Sequence, residues 1–296
     1  MSNLISVIIT CYNRAGSIGR TLNSVLSQRD VKVEVIVIDD GSSDESIKVI
    51  KQYGRYFPRF KLLSQTNQGQ NSAIKLGIKS STGGFISFID AGDVWKPDFL
   101  FKMISCLRPE DGFIYCWLNN GPRSFLGVGS CFIDVVAQGY LSSMITCLVR
   151  KDCFFEDLDL LFPNRYVVCQ DDKFCLELSK RFSFSVITEC LAYAIPEVNS
   201  MTKDFRKNAD GYLMLYNDYR DVIFNASYGI SPINYHRNII LNLLRCGSLK
   251  GCISFCVRER VNLFRLYSPI KILRASFSGF IFRTKLQISN LGVFHD

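Results

Sequence analysis

An α/β protein built on a mostly parallel, Rossmann-like sheet with helices on both faces is what the sequence predicts, and three observations predict it. Continuous β-branched runs recur through the first hundred residues, stretches of helical apolar spacing lie between them, and polar clusters follow the runs. The first run, "ISVIIT" (5–10), and the second, "VEVIVIDD" (33–40), have no polar alternation, as expected of strands covered on both faces. Between them Ile18, Leu22, Val25 and Leu26 share one helical face, with Ser17 as the expected N-cap. "GSSDESIKVIKQYG" then reads as a turn, a Ser/Asp cap and a helix ending near Gly54. "FKLLSQ" (60–65) is a third strand, "QNSAIKLGIKSS" a third helix and "GFISFID" (84–90) a fourth strand. The β-α-β-α-β-α-β order argues right-handed parallel winding.

Ligands of such sheets bind at the carboxyl ends of the strands. Those ends read Thr10-Cys11-Tyr12-Asn13-Arg14, Asp39-Asp40-Gly41-Ser42, Ser64-Gln65-Thr66-Asn67 and Asp90-Ala91-Gly92-Asp93. Two carry paired acids. No GxGxxG follows the first strand and no GxxxxGK[ST] occurs, so a Rossmann dinucleotide site and a P-loop are both excluded by pattern. Phosphates bound here would be met by a metal ion or by basic side chains.

Composition sets further limits. With 296 residues, 48% hydrophobic and 13% aromatic, the chain can bury a large core. The twelve cysteines follow no paired framework, and the N-terminus runs directly into a strand pattern rather than a signal peptide. Buried, reduced thiols and a cytoplasmic protein are the expectation. No apolar run is long enough to span a bilayer. The net charge of +8 comes entirely from residues 237–296, which hold 10 Lys+Arg against 2 Asp+Glu and interleave them with stretches such as "VNLF" and "SFSGFIF". That mixture suits an anionic membrane surface; a solvated basic helical face would also fit, and charge alone would suit nucleic acid.

Taken in order, "SVIITCYNRAGSIGRTLNSVLSQ", "EVIVIDDGSSDES", "NQGQNSAIKLGIKSSTGGFISFIDAGDVWKPDFL" and "QDDKFCLELSKRF" resemble the family 2 glycosyltransferases of GT-A fold, over residues 4 to about 202. The resemblance implies a catalytic domain over 1–202, its nucleotide-sugar half at 1–100 and its acceptor half at 101–202, followed by a basic, mainly helical region at 203–296. It implies inverting transfer of a sugar from a UDP-sugar to a hydroxyl on a glycan or lipid-linked acceptor, in bacterial surface-polysaccharide or lipid-linked glycan synthesis. Location at the inner face of the membrane, contact with anionic lipid through 237–296 and no nucleic-acid partner go with that reading. Without spanning helices or a Gln-x-x-Arg-Trp segment, single-sugar transfer is expected over polymerisation.

By the same resemblance Asp40 accepts from the uracil N3–H, Thr10 and Tyr12 line the base, and Asp39 supports the turn. Asn13, Arg14, Asn67, Asp90 and Ala91 complete the donor-binding set. The family pattern Asp-x-Asp-Asp is broken by Gly92, which leaves Asp93, with Asp90, to hold Mn²⁺ or Mg²⁺. Inversion needs a base beside the acceptor hydroxyl. The family's Glu-Asp segment corresponds to Gln170-Asp171, making Asp171 the candidate base and Asp172 its rival. In "AYAIPEVNSMT" (192–202) relatives place an Arg and a His near the diphosphate; here only Ser200 and Thr202 match, with Lys203, Arg206 or Lys207 as possible substitutes. Trp95 and Trp117 are candidate sugar-stacking faces, while His236 and His295 are expected to pack or lie on the surface. Two other readings remain: a catalytically weak nucleotide-sugar-binding subunit, motivated by Gly92 and the missing Arg and His, and a nucleotidyltransferase, against which "TCYNRAGS" lacks a Gly-rich basic loop.

Overall fold

The computed structural model describes residues 4–119, 143–154, 157–196, 204–223 and 233–261. The chain divides into two compact units, Met1–Glu197 and Val198–Asp296.

In the first unit, among the described residues, eight strands form one sheet: β1 (Leu4–Cys11), β2 (Lys32–Asp39), β3 (Phe60–Ser64), β4 (Phe85–Asp90), β5 (Val94–Trp95), β6 (Phe113–Leu118), β7 (Cys147–Arg150) and β8 (Phe184–Tyr193), in the order β3-β2-β1-β4-β7-β6-β8-β5. The four strands read first from the sequence pair in parallel, β1 against both β2 and β4, and β2 against β3. Ile5, Val7, Ile8 and Ile9 of β1 are all buried, as are Val35, Ile36, Val37 and Ile38 of β2. Full burial of successive residues means both faces are covered, which explains why these strands show no polar alternation. The helices between them are α1 (Ile18–Leu26), α2 (Ser46–Gly54) and α3 (Gln70–Ser80), with α4 (Phe99–Cys106) after β5.

Beyond β4 the winding changes. β7 runs antiparallel to both β4 and β6, and β5 antiparallel to β8, so the sheet is mixed on that side. Met144–Thr146 and Lys151–Phe154 are short 3-10 turns flanking β7. α5 (Leu158–Leu161) and α6 (Gln170–Ser179) follow. Ser17 makes no side-chain capping bond, and the N-cap of α2 is Glu45, also without one; Asp44, one residue earlier, accepts from the Ser46 N–H at 3.0 Å.

The edge of the sheet opposite the strand ends is pinned by Glu34. Its carboxylate is 4% exposed, pairs with Lys61 at 2.8 Å and accepts from Ser6 Oγ at 2.7 Å and the Thr82 N–H at 2.8 Å. Burial opposes ionisation there, but Lys61, Ser6 and Thr82 outweigh it and hold the carboxyl down to about 2.

The second unit, described by itself, contains α7 (Phe205–Asp218), α8 (Arg220–Ile223), α9 (Ile233–Arg245) and α10 (Leu249–Arg258). His236 is buried there, its Nε2 3.1 Å from Tyr216 Oη and its ring edge-on to Phe255, in agreement with a packing role. Among the described residues no helix is long and apolar enough to cross a membrane. His295 and the basic segment 262–296 lie outside the described residues.

Gly41 provides a test of how tightly the strand-end loops are fitted. Its φ is +80°, and an added Cβ would lie 2.9 Å from the Asn67 backbone nitrogen. Gly41→Ala is expected to cost about 1–3 kcal/mol, read as a lower urea midpoint at unchanged slope.

Candidate functional site

Three loops at the carboxyl ends of β1, β2 and β3 are laced into one surface. Asn13, at φ 51°, donates its N–H to Ser42 Oγ at 2.9 Å and accepts at Oδ1 from the Ser43 N–H at 2.8 Å. Arg14 N–H donates to Ser46 Oγ at 2.8 Å, and Ala15 N–H to Asp44 at 3.0 Å. Asp40, 5% exposed, accepts at Oδ1 from Gln65 Nε2 at 2.7 Å and the Gln68 N–H at 2.9 Å, and at Oδ2 from the Gly69 N–H at 2.9 Å. A carboxylate has about four acceptor positions, so three of those on Asp40 are used to hold the 65–69 loop. Asp39 accepts from the Ser42 N–H at Oδ2, while its Oδ1 is buried without a hydrogen-bond partner. Tyr12 stands out from this surface at 47% exposure, and Asn67 is exposed on the loop that Asp40 holds.

The acidic turn after β4 is shaped from α1. Thr21, fully buried, accepts the Gly92 N–H at 2.8 Å and donates to the Asp93 carbonyl at 2.8 Å, and Arg20 Nε donates to the Gly92 carbonyl at 2.6 Å. Gly92 sits at φ 117°, a conformation any Cβ-bearing residue would strain to adopt. The departure from Asp-x-Asp-Asp therefore has a local physical basis: the turn built here is a glycine turn. Ala91 is buried, and its N–H donates to the Thr10 carbonyl, so its contribution is through the backbone.

Asp90 accepts at Oδ1 from Thr10 Oγ1 at 3.0 Å and from Gln70 Nε2 at 2.7 Å. Gln70 in turn accepts from Gln170 Nε2, linking the end of β4 to the first residue of α6. Two further residues of α3 hold the same distant segment: Asn71 donates to the Pro163 and Tyr166 carbonyls, both at 2.9 Å, and Lys75 contacts Asp159 and Asn164. This grip brings Asp171 into the electrostatic field of Asp90 and Asp93. The Asp171 carboxylate accepts from Ser143 Oγ at 2.8 Å. Burial, then the Asp90 charge, push Asp171 up to about 6 against the pull of Ser143 and the Met144 N–H. Burial and the Asp90 charge, with Asp171 adding, push Asp93 up to about 7, although Asp93 Oδ1 accepts from the Ile195 N–H at 2.9 Å. Asp90 is also raised, by burial above all. Asp172 follows in the same helical turn and bears on Cys169, whose thiol burial raises strongly.

Burial raises all three carboxyls and the Asp90 charge adds to Asp171 and Asp93, while Arg14 and Arg20 partly offset the rise at Asp90 and Asp93. The hydrogen bonds above occupy only Oδ1 of Asp90 and of Asp93, but among the described residues no three acidic, His or Cys side chains converge as a ligand set. The donor chemistry therefore fits a hard divalent cation completed by phosphate oxygens and water, and does not fit an all-protein cage.

Trp95 corrects a sequence expectation. It is 4% exposed, stacks on Phe99 at 4.3 Å and donates from Nε1 to the Ile145 carbonyl at 2.7 Å, so it is core and cannot stack on a sugar. Trp117 is half-buried, its Nε1 enclosed without a partner. Ala194 and Ile195 pass beside Asp93 because β8 pairs with β5; Ser200, Thr202 and Lys203 lie outside the described residues, and Arg206 and Lys207 belong to the second unit. Arg20, Thr21, Gln70, Asn71 and Ser143 are site residues without a local sequence signature; each acts across 20 or more positions of sequence.

The sequence model of the family described as "Glycosyl transferase family 2" matches residues 6–122. An uncharacterized glycosyltransferase of Haemophilus influenzae is 31% identical over 194 residues, covering 62% of this chain and 75% of the relative. For three other curated relatives the matched stretch spans only 32–39% of their length. Two solved structures share the fold at identities that speak for the fold alone. The mannosyltransferase PcManGT from Pyrobaculum calidifontis, in complex with GDP-Man and Mn²⁺, has a TM-score of 0.62 at 16% identity, covering 93% of this chain and 86% of that one. S. aureus TarS 1-349, in complex with UDP-GlcNAc, has a TM-score of 0.53 at 19% identity, covering 93% and 79%.

The raised carboxyls have a stability consequence whose sign is fixed. Asp93 ionises near 3.8 when unfolded and at about 7 when folded, so between those values the native state binds more protons and stability falls as pH rises. Asp93→Asn is expected to stabilise the protein at pH 8 by about 1–2 kcal/mol after screening, with the advantage vanishing toward pH 4. Thermal melts of both proteins across that range measure it.

Proposed function

Because the chain belongs to the family 2 glycosyltransferases, we propose that it moves a sugar from a UDP-sugar donor to an acceptor hydroxyl with inversion at the anomeric carbon. The observation that carries this reading is Asp171, brought from the start of α6 to the acidic end of β4 and held there by Ser143 with its pKa raised to about 6. A base poised near the working pH can take the acceptor proton while the donor diphosphate leaves. Asp172, one position on, is the alternative base.

The donor sits, in this reading, on the laced surface of Thr10, Tyr12, Asn13, Arg14, Asp39, Asp40 and Asn67. Asp40 shapes the surface by holding 65–69, and a base N–H would meet its remaining acceptor position or Asp39 Oδ1. Uridine is supported by the donor named for TarS, while PcManGT was solved with a guanosine donor, so nucleotide competition is part of the test. Asp90 and Ala91 lie toward the ribose. Mn²⁺ or Mg²⁺ held by Asp93 with Asp90 would neutralise the leaving diphosphate. The acceptor is proposed to be a lipid-linked or cell-surface glycan, with the protein working at the inner face of a membrane through its basic C-terminal region.

Titration calorimetry with UDP, GDP and TDP, each with and without Mn²⁺, tests the donor. UDP binding strengthened by Mn²⁺ is expected, and absence of any nucleotide binding would instead favour a non-catalytic subunit. Asp171→Asn should keep UDP affinity and lower turnover about a hundredfold or more. Wild-type turnover should rise with pH through about 6 as Asp171 ionises, and retention of that limb in the variant would move the role to Asp172. Asp40→Ala should weaken UDP binding and also lower stability, since the Gln68 and Gly69 N–H groups lose their acceptor.

A further inference from the structure

We propose that α10 docks on an anionic lipid surface through a stripe of Leu249, Ile253 and Val257. The inference rests on the membrane part of the reading above and is independent of the assignment of catalytic groups. The three residues follow at i, i+4 and i+8, which aligns them along one helix face about 12 Å long. Their exposures are 55%, 54% and 73%, and they account for every exposed large hydrophobic among the described residues of the second unit. The opposite side of the same helix is buried through Cys252 and Phe255, so the stripe is the outward face of a helix already packed on its inner side.

The charges around the stripe say what covers it. Residues 237–261 contain Arg237, Arg245, Lys250, Arg258 and Arg260 against one acid, Glu259. That acid is turned inward: its side chain is 1% exposed, pairs with Arg220 at 3.0 Å and Arg258 at 2.7 Å, and accepts from Tyr216 Oη at 2.8 Å. Beside Leu249, Ile253 and Val257 the segment carries Lys250 and Arg260, both exposed, while the exposed acids of the second unit, Asp210, Asp218 and Asp221, belong to α7 and α8. Apolar side chains rimmed by cations match the acyl boundary and headgroups of an anionic bilayer. A second copy of the same face would set cation against cation, and a nucleic acid would leave the stripe in water. The 35 residues that follow, 262–296, add five basic residues and one acid to the same end of the chain.

The test is flotation of the full chain with vesicles of phosphatidylcholine alone or containing phosphatidylglycerol, at low and high salt. Binding should require the anionic lipid and weaken with salt. Ile253→Glu/Val257→Glu changes only exposed positions and should lower partitioning about tenfold or more while melting temperature and nucleotide affinity stay at wild-type values. Lys250→Ala should weaken binding less and reduce its salt dependence. Absence of wild-type binding, or equal binding by the double variant, overturns the proposal. A wild-type dimer in sedimentation that the double variant dissociates would likewise overturn it, by assigning the stripe to a second copy. Loss of nucleotide binding by the wild type would strike the donor reading and leave this one standing.

Discussion

The hydroxyl of Thr21 is the interaction on which the acidic edge of the sheet depends. It is a side chain of α1, yet it closes the turn after β4 by accepting the Gly92 N–H and donating to the Asp93 carbonyl. A buried backbone donor left without that acceptor would cost about as much as a lost hydrogen bond plus its desolvation. With the turn fixed, the directions of Asp90 and Asp93 follow, and so does the position of β5, whose pairing with β8 carries Ile195 past Asp93. One hydroxyl thus couples the first helix to the last strand of the domain.

The four parallel strands were legible because burial on both faces leaves an unbroken β-branched run, a signal that survives without any partner being known. The strand-end residues were legible for a related reason, since a parallel sheet places them all along one edge. What lay beyond reach was contact across long sequence separation. Gln70 and Gln170 are one hundred positions apart, and an amide pair has no periodicity to betray it. Trp95 was misjudged because an indole suits a sugar face and a core equally well; the nearby Phe99 ring and Ile145 carbonyl decide for the core. Gly92 read as a deficit in the sequence, and its φ of 117° shows that it is a requirement of the turn.

Opposite edges of the same sheet treat carboxylates in opposite ways. Glu34 is buried but supplied with a lysine, a hydroxyl and backbone donors, and it stays ionised. Asp90, Asp93 and Asp171 receive fewer donors, Asp93 and Asp171 also feel the Asp90 charge, and all three are raised, by burial above all. Structural carboxylates complete their own shells, whereas those at the strand ends leave a charge deficit that a ligand can fill.

The interlocked loops at 13–15, 40–46 and 65–69 have a thermodynamic implication. Gly41 lets two of them approach within van der Waals distance, Asp40 ties them together and Asn13 ties in the third. A ligand arriving on such a plate finds its contacts already arranged and has little chain to immobilise, so little of the binding free energy is lost to ordering. Affinity there is governed by how well a ligand fits a fixed template, and discrimination between ligands by misfit the template cannot relax.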